Sequence, residues 1–186
     1  EASFTVIASI ALQALRLAKP TQGETFVVYG LGLIGLILVQ LLKSNGCKVI
    51  GIDLDEDRLE LAKQYGATSL GSLDDSTLID SSLSLTKNLG VDGVFLTLSS
   101  KSNDPISNAA KMCRKRGRVI LTGVTGLKIN RQDFYEKEIT FKVSSSYGPG
   151  RYDPSYEDKG IDYPFEYVRW TEKRNFEAIL DLLSEK

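Results

Sequence analysis

Histidine is missing from this sequence of 186 residues. Its absence removes the usual general base near neutral pH, any histidine proton relay and the commonest nitrogen ligand for a metal. Cysteine is scarce as well, with only Cys47 and Cys113. Two thiols cannot build a disulfide framework, and a structural zinc needs about four Cys/His ligands, so neither kind of cross-link is expected. Charge of one sign is also lacking. The formal net charge is −1, and nothing in that balance argues for a nucleic-acid or membrane partner. The most apolar stretch, Phe26 to Leu42, holds three glycines, Tyr29 and Gln40, and it falls short of the roughly 20 residues of a membrane span. A buried parallel strand followed by a buried helix accounts for it better. No signal peptide and no initiator Met open the chain, and no clear stop closes it. It reads as part of a longer protein of the reducing cytoplasm.

What is present centres on Gly30-Leu31-Gly32-Leu33-Ile34-Gly35. The apolar run Phe26 to Tyr29 leads into it. Ile34, Ile37, Leu38 and Leu41 follow at i, i+3, i+4 and i+7, the spacing of a helix face. Val49 to Ile52 then reads as a strand ending on Asp53, 23 positions after Gly30. Strand, glycine turn, helix, strand and acid in this order form a dinucleotide-binding fingerprint. Gly30 allows the sharp turn, Gly32 lets a pyrophosphate approach the backbone, and Gly35 lets the helix pack close to the strands. The helix N-terminus offers unpaired N–H groups to phosphate. Asp53 would accept hydrogen bonds from the adenosine ribose hydroxyls, and its charge opposes a 2′-phosphate, so NAD is expected over NADP.

The rest of the chain alternates in type. Helices are expected over residues 2–18, with Phe4, Ile7, Ala8, Ala11 and Leu15 on one face, from Asp55 to Tyr65, and from Asp74 to Asn88. Another has Ile106, Ala109, Ala110 and Cys113 on its apolar face, and the last spans about 171–184, burying Phe176, Ile179, Leu180 and Leu183. Strands are expected at 67–70, at 92–98, from Arg118 to Thr122 and from Ile139 to Ser145. The basic run Arg114 to Arg118 reads as a solvated helix end, since cations are favourable at helix C-termini. Tyr147 to Tyr167 reads as irregular; its aromatic rings either cover the sheet edge or line a cleft, and Arg151 could meet an anionic group. Alternating strands and helices imply an α/β fold: a six-stranded doubly wound parallel sheet, order 3-2-1-4-5-6, with the ligand at its carboxyl edge.

These residues resemble the coenzyme domain of the medium-chain dehydrogenase/reductase superfamily, the zinc-type alcohol dehydrogenases and their relatives. The likeness rests on the glycine turn, Ile52-Asp53-Leu54-Asp55, Arg58-Leu59-Glu60-Leu61-Ala62, Gly66-Ala67, Gly90-Val91-Asp92 and Gly117-Arg118-Val119. It implies one Rossmann domain over 1–186, with a linking helix in 1–20, an irregular loop at 147–170 and a closing helix at 171–184. The stretch Tyr147 to Trp170 resembles a bacterial subgroup that carries a second oxidoreductase domain. The resemblance adds Leu54 and Arg58 at the adenosine ribose, Thr97 and Leu98 beneath the nicotinamide ribose, and Gly123, Val124, Ser145 and Ser146 on the nicotinamide side. It implies hydride transfer to or from a small alcohol, polyol or sugar, with any zinc, proton relay and most of the substrate pocket supplied by an N-terminal domain absent here. It also implies pairing of two copies through the sixth strand. Two rivals share the fold class: a regulatory dinucleotide-sensing domain, and a methyltransferase-like domain binding a mononucleotide cofactor.

Overall fold

The computed structural model describes residues 2–70 and 75–185. A 3₁₀ turn at Ala2–Phe4 leads into α1 (Thr5–Ala18), followed by β1 (Thr25–Tyr29), α2 (Leu33–Ser44), β2 (Lys48–Ile52), α3 (Glu56–Gln64) and β3 (Thr68–Leu70). Then come α4 (Asp75–Ser84), β4 (Val91–Leu96), α5 (Asp104–Met112), β5 (Cys113–Leu121), α6 (Arg131–Tyr135), β6 (Thr140–Val143), α7 (Pro154–Glu157) and α8 (Glu172–Ser184). All strand pairs are parallel. Five strands, in the order β2-β1-β4-β5-β6, form the body of the sheet, and the three-residue β3 continues it beyond β2.

Period-two alternation sends neighbouring side chains to opposite faces. Phe26, Val28, Phe95 and Ile120 point to one side, where α1, α2, α3 and α8 contribute Leu15, Leu38, Leu42, Leu59 and Ile179. Val27, Val94, Leu96, Val119 and Leu121 point to the other, against Leu78 of α4 and Ile106, Ala109 and Met112 of α5. Both faces are covered, so the chain has the Rossmann-like α/β arrangement that its alternating pattern implies.

Several local expectations need correction. Cys113 is not on a helix face. It is the first residue of β5, buried all the same. The basic run is likewise strand rather than helix end. Cys113 pairs with Val91 and Arg118 with Gly93, so residues 114–117 loop out of register. Charge pairing explains the loop: Arg114 meets Asp92 at 2.7 Å, Arg118 meets Glu24 at 2.5 Å, and Arg116 meets Glu138 at 2.7 Å. Arg118 also donates to the carbonyls of Ala18 and Lys19, at 2.7 and 3.1 Å.

Other elements are shorter than read. Phe4 is exposed, because the first turn is 3₁₀. The helix start expected at Asp74 lies outside the described residues; its end comes at Ser84, where the Thr86 hydroxyl donates to the Ser82 and Leu83 carbonyls. β4 stops at Leu96, and Thr97 and Leu98 lie past its end. β6 covers only Thr140–Val143. Leu180 is exposed on α8, while Asn175 and Glu172 are buried. Two helices were not expected: α6, capped by the Asn130 side chain, and the single turn α7, capped by Asp153. No helix among the described residues is long and apolar enough to cross a membrane.

Phe26 is fully buried, with its ring centroid 5.4 Å from that of Phe95. Phe26→Ala should lower unfolding stability by about 3–5 kcal/mol, read from urea unfolding; a loss below about 1 kcal/mol would contradict this packing. Burial pushes the Cys113 thiol up to about 12. The folded state therefore holds that proton more tightly than the unfolded chain does. This contribution is complete below the ordinary thiol value of about 8.5 and is lost as pH rises towards 12. Cys113→Ala should flatten the alkaline fall in stability, measured as urea midpoints between about pH 8 and pH 11.

Candidate functional site

The carboxyl ends of β1, β2 and β4 open onto a cavity of about 750 Å³, within the size range of small-molecule and cofactor sites. Its walls include Gly30, Gly32, Asp53, Leu54, Arg58, Thr97 and Leu98.

The turn from β1 into α2 is built on close approach. Gly30 has φ +102°, and a Cβ there would lie 2.6 Å from the Leu98 nitrogen. A Cβ on Gly35 would lie 2.0 Å from the Gly30 carbonyl oxygen, so no larger residue lets α2 start this near the strand. Gly32 differs: a Cβ there would meet nothing within 4 Å. It caps α2 without a side-chain hydrogen bond to the helix end. The first turn of α2 therefore has bare N–H groups and a partial positive charge, with open space beside its cap. That is the arrangement a pyrophosphate group fits.

Asp53 closes one side. One carboxylate oxygen accepts the Leu31 N–H at 2.6 Å; the other accepts Leu54 N–H at 2.8 Å and Asp55 N–H at 3.0 Å. The acid at the end of β2 thus holds the glycine turn as well as lining the cavity. Arg58, half exposed, reaches back to Asp55 at 3.3 Å and to Asp53 at 3.8 Å. Asp55 itself caps α3 through the N–H groups of Asp57 and Arg58. Thr97 closes another side. Its hydroxyl donates to the Gly30 carbonyl at 2.5 Å and contacts the Tyr29 carbonyl oxygen at 3.2 Å.

The remaining predicted residues are placed differently. The Leu31 side chain is fully buried in the core, and only its N–H turns to Asp53. Leu33 is exposed and Ile34 partly buried on α2. Gly123 and Val124 are not in the cavity wall. Their N–H groups donate to Leu96 and Leu98 carbonyls at 2.8 and 3.1 Å, tying the end of β5 to that of β4. Ser145 and Ser146 follow β6, whose end is tied to β5 by the Ser144 N–H to Leu121 carbonyl bond at 2.8 Å. The three strand ends thus lie side by side along one edge, while the cavity takes in only the first, through Ser99 and Ser100. The cavity also includes Tyr29, Ile52, Asp55, Leu78 and Pro105, which sequence reasoning did not select. Tyr29 and Ile52 directly precede Gly30 and Asp53, so their position was available from the fingerprint. Ser99, Ser100 and Pro105 carry no such signal.

Comparison with known proteins follows the same line. A family model described as zinc-binding dehydrogenase matches residues 34–159. A probable D-xylulose reductase A from Neosartorya fischeri is 30% identical over 148 residues, covering 77% of this chain and 41% of that protein. The chain thus spans about two fifths of the length of that curated relative. Among solved structures, the alcohol dehydrogenase TADH from Thermus sp. ATN1 is similar with a TM-score of 0.71 and 26% identity, covering 78% of this chain and 43% of that one. A short chain alcohol dehydrogenase from E. coli CFT073, complexed with the cofactor NADH, gives 0.68 and 26%, covering 77% and 42%. The residues here do not fit a zinc ion. Cys47 and Cys113 belong to core clusters on opposite faces of the sheet, and the described residues hold no group of three His, Cys, Asp or Glu that could bind a metal.

Thr97→Val keeps the shape but removes the donor to Gly30. It should cost about 1–3 kcal/mol in unfolding free energy, with Thr97→Ser close to the parent. Equal stability of the valine variant in a urea titration would show that the hydroxyl does not hold the turn.

Proposed function

Because the chain belongs to the zinc-binding dehydrogenase family, we propose that it is the coenzyme-binding unit of a nicotinamide-dependent oxidoreductase acting on an alcohol, polyol or sugar hydroxyl. The observation that carries this reading is the bare N-terminus of α2 at Gly32 beside the Asp53 carboxylate in one cavity.

The N–H groups at Gly32 to Gly35 hold the pyrophosphate. Asp53 accepts from the adenosine ribose hydroxyls, while its bond to the Leu31 N–H keeps the turn in register with that ribose. A 2′-phosphate would face this carboxylate, which favours NAD over NADP. Arg58 covers the ribose from the α3 side, and the exposed Leu54 offers apolar surface to the adenine. Thr97 and Leu98 lie under the nicotinamide ribose, with Gly123, Val124, Ser145 and Ser146 at the nicotinamide side. The bound nicotinamide supplies the hydride-accepting and hydride-donating carbon. This chain fixes its position, and a domain outside residues 1–186 supplies the substrate pocket and any zinc. The unit alone binds coenzyme without turnover. Two copies pair through the edge strand β6, and the two buried free thiols suit a reducing cytoplasm.

A regulatory dinucleotide sensor is the second reading, and one observation favours it: Thr97 and Leu98 line the cavity, but Gly123 and Val124 do not. Hydrogen exchange separates the two. Protection of residues 97–98 and 123–124 by NADH but not by AMP supports the oxidoreductase unit; equal protection by both supports the sensor.

The direct test is a fluorescence titration with NADH and NADPH, following energy transfer from Trp170 and the tyrosines to the reduced nicotinamide. NADH should bind saturably, and NADPH at least about tenfold more weakly. Asp53→Ala should weaken NADH by about tenfold or more. Tighter NADPH binding would overturn the assignment of Asp53, and binding of neither would overturn the coenzyme role.

A further inference from the structure

A second cavity of about 420 Å³ opens at the opposite, amino edge of the sheet. It lies among the first residues of β1, β2 and β3 and the turn after α4, remote from Asp53 and the glycine turn. Of the dinucleotide fingerprint only Val49 and Ile50, at the start of β2, reach it; the glycine turn and Asp53 do not.

Its charge is unbalanced. Lys43, Lys48, Lys87 and Arg114 line it, and Asp92 is the one acid among the described residues of its wall. Asp92 is already committed: one oxygen accepts Arg114 Nε at 2.7 Å and the other accepts the Thr25 N–H at 2.8 Å. Arg114 and Asp92 therefore neutralise each other. That leaves three ammonium groups around one concavity, and among the described residues no acid forms an ion pair with any of them. Six of the nine arginines, by comparison, form ion pairs. Arg58, Arg114, Arg116, Arg118, Arg151 and Arg174 each have a carboxylate partner.

The turn that carries Lys87 is held in place. Lys87 and Asn88 both adopt left-handed backbone, φ +54° and +62°. Hydrogen bonds from Lys87 N–H to Ser84 and from Asn88 N–H to Leu83 fix this shape, as does that from Gly90 N–H to the Thr86 hydroxyl. Two non-glycine residues in succession in this region cost free energy. The lysine side chain is thereby presented from a defined backbone rather than a loose one. Beside it, Leu89 and Leu85 stand 74% and 49% exposed, so the cavity has an apolar flank next to its cations. The hydroxyl-bearing residues Thr25 and Thr68 also line it.

We infer that this amino-edge cavity is a second ligand site, built for a small phosphorylated molecule whose sugar or ring body lies on Leu85 and Leu89 while its phosphate meets Lys43, Lys48 and Lys87. A phosphate dianion matches several ammonium groups. A volume of about 420 Å³ exceeds the needs of a bare inorganic ion and suits a sugar phosphate. The site is independent of the coenzyme reading, since it shares no residue with the Asp53 cavity.

The test is a site-resolved NMR titration of the ¹⁵N-labelled chain with ribose 5-phosphate, with ribose and sodium sulfate as controls at about 0.15 M salt. Ribose 5-phosphate should give saturable shifts at the amides of Gly66, Thr68, Lys87, Asn88 and Gly90, and ribose none. Lys48→Gln/Lys87→Gln should weaken that binding at least about tenfold while leaving the NADH-induced shift at Gly32 unchanged. A well-dispersed spectrum of this surface variant establishes that it is folded. Absence of saturable shifts overturns the proposal. So do shifts confined to Gly30–Gly35, or sulfate binding as tight as ribose 5-phosphate, which would mark a diffuse counter-ion effect.

Discussion

The approach of α2 to the end of β1 is the constraint on which the rest of the molecule depends. Gly35 lies so near the Gly30 carbonyl that a single methyl group would overlap it. This closeness brings the helix N-terminus down to the sheet edge and leaves its first N–H groups facing open space. The surroundings then lock the turn from two directions. Asp53 arrives from β2 and takes the Leu31 N–H, while Thr97 arrives just past β4 and takes the Gly30 carbonyl. Three adjacent parallel strands thus meet at one loop, and the cavity is what remains between them. Parallel strand order is a precondition for this, because it places all three carboxyl ends on the same edge.

The amino edge is organised by charge instead. Glu24, Asp92, Arg114 and Arg118 link the start of β1, the start of β4 and the irregular first half of β5. Arg118 is about one-fifth exposed, and its guanidinium also lies 5.1 Å from the centre of the Phe26 ring. A largely buried cation is tolerated here because carboxylate, backbone carbonyls and an aromatic face surround it. Past β6 the chain leaves the sheet, and aromatic rings take over. Tyr147 packs on Phe176, the Tyr156 hydroxyl donates to the buried Thr171 hydroxyl, and Asp153 accepts from Tyr163. That last bond pushes the Tyr163 phenol up to about 12.

The core was legible because its signals are local. Alternating apolar residues mark β1, and a 3.6-residue period marks α2, so tertiary packing only had to agree with them. The glycine turn and Asp53 were legible because their spacing encodes a backbone geometry. The basic run at 114–118 was not. Local chemistry favours a helix end, but acids distant in sequence, Glu24, Asp92 and Glu138, draw it into an irregular strand. Leu180 illustrates a different loss of information: periodicity gives a helix face, but not how far along its length another element covers it. Ser99, Ser100 and Pro105 reach the cavity through tertiary placement alone, and α6 is too short for a periodic signal.

Helix α1 precedes the first strand in sequence, yet it is joined to parts of the chain that come far later. Its last carbonyl, with that of Lys19, receives the Arg118 guanidinium of β5. Arg16 donates to Asn175 of α8 and stacks on Trp170. Its burial, with Arg169 nearby, lowers its pKa to about 10. A cut made at the start of β1, where the nucleotide fingerprint begins, would therefore strand a guanidinium and uncover the face beneath. As a folding unit, the sheet includes this helix.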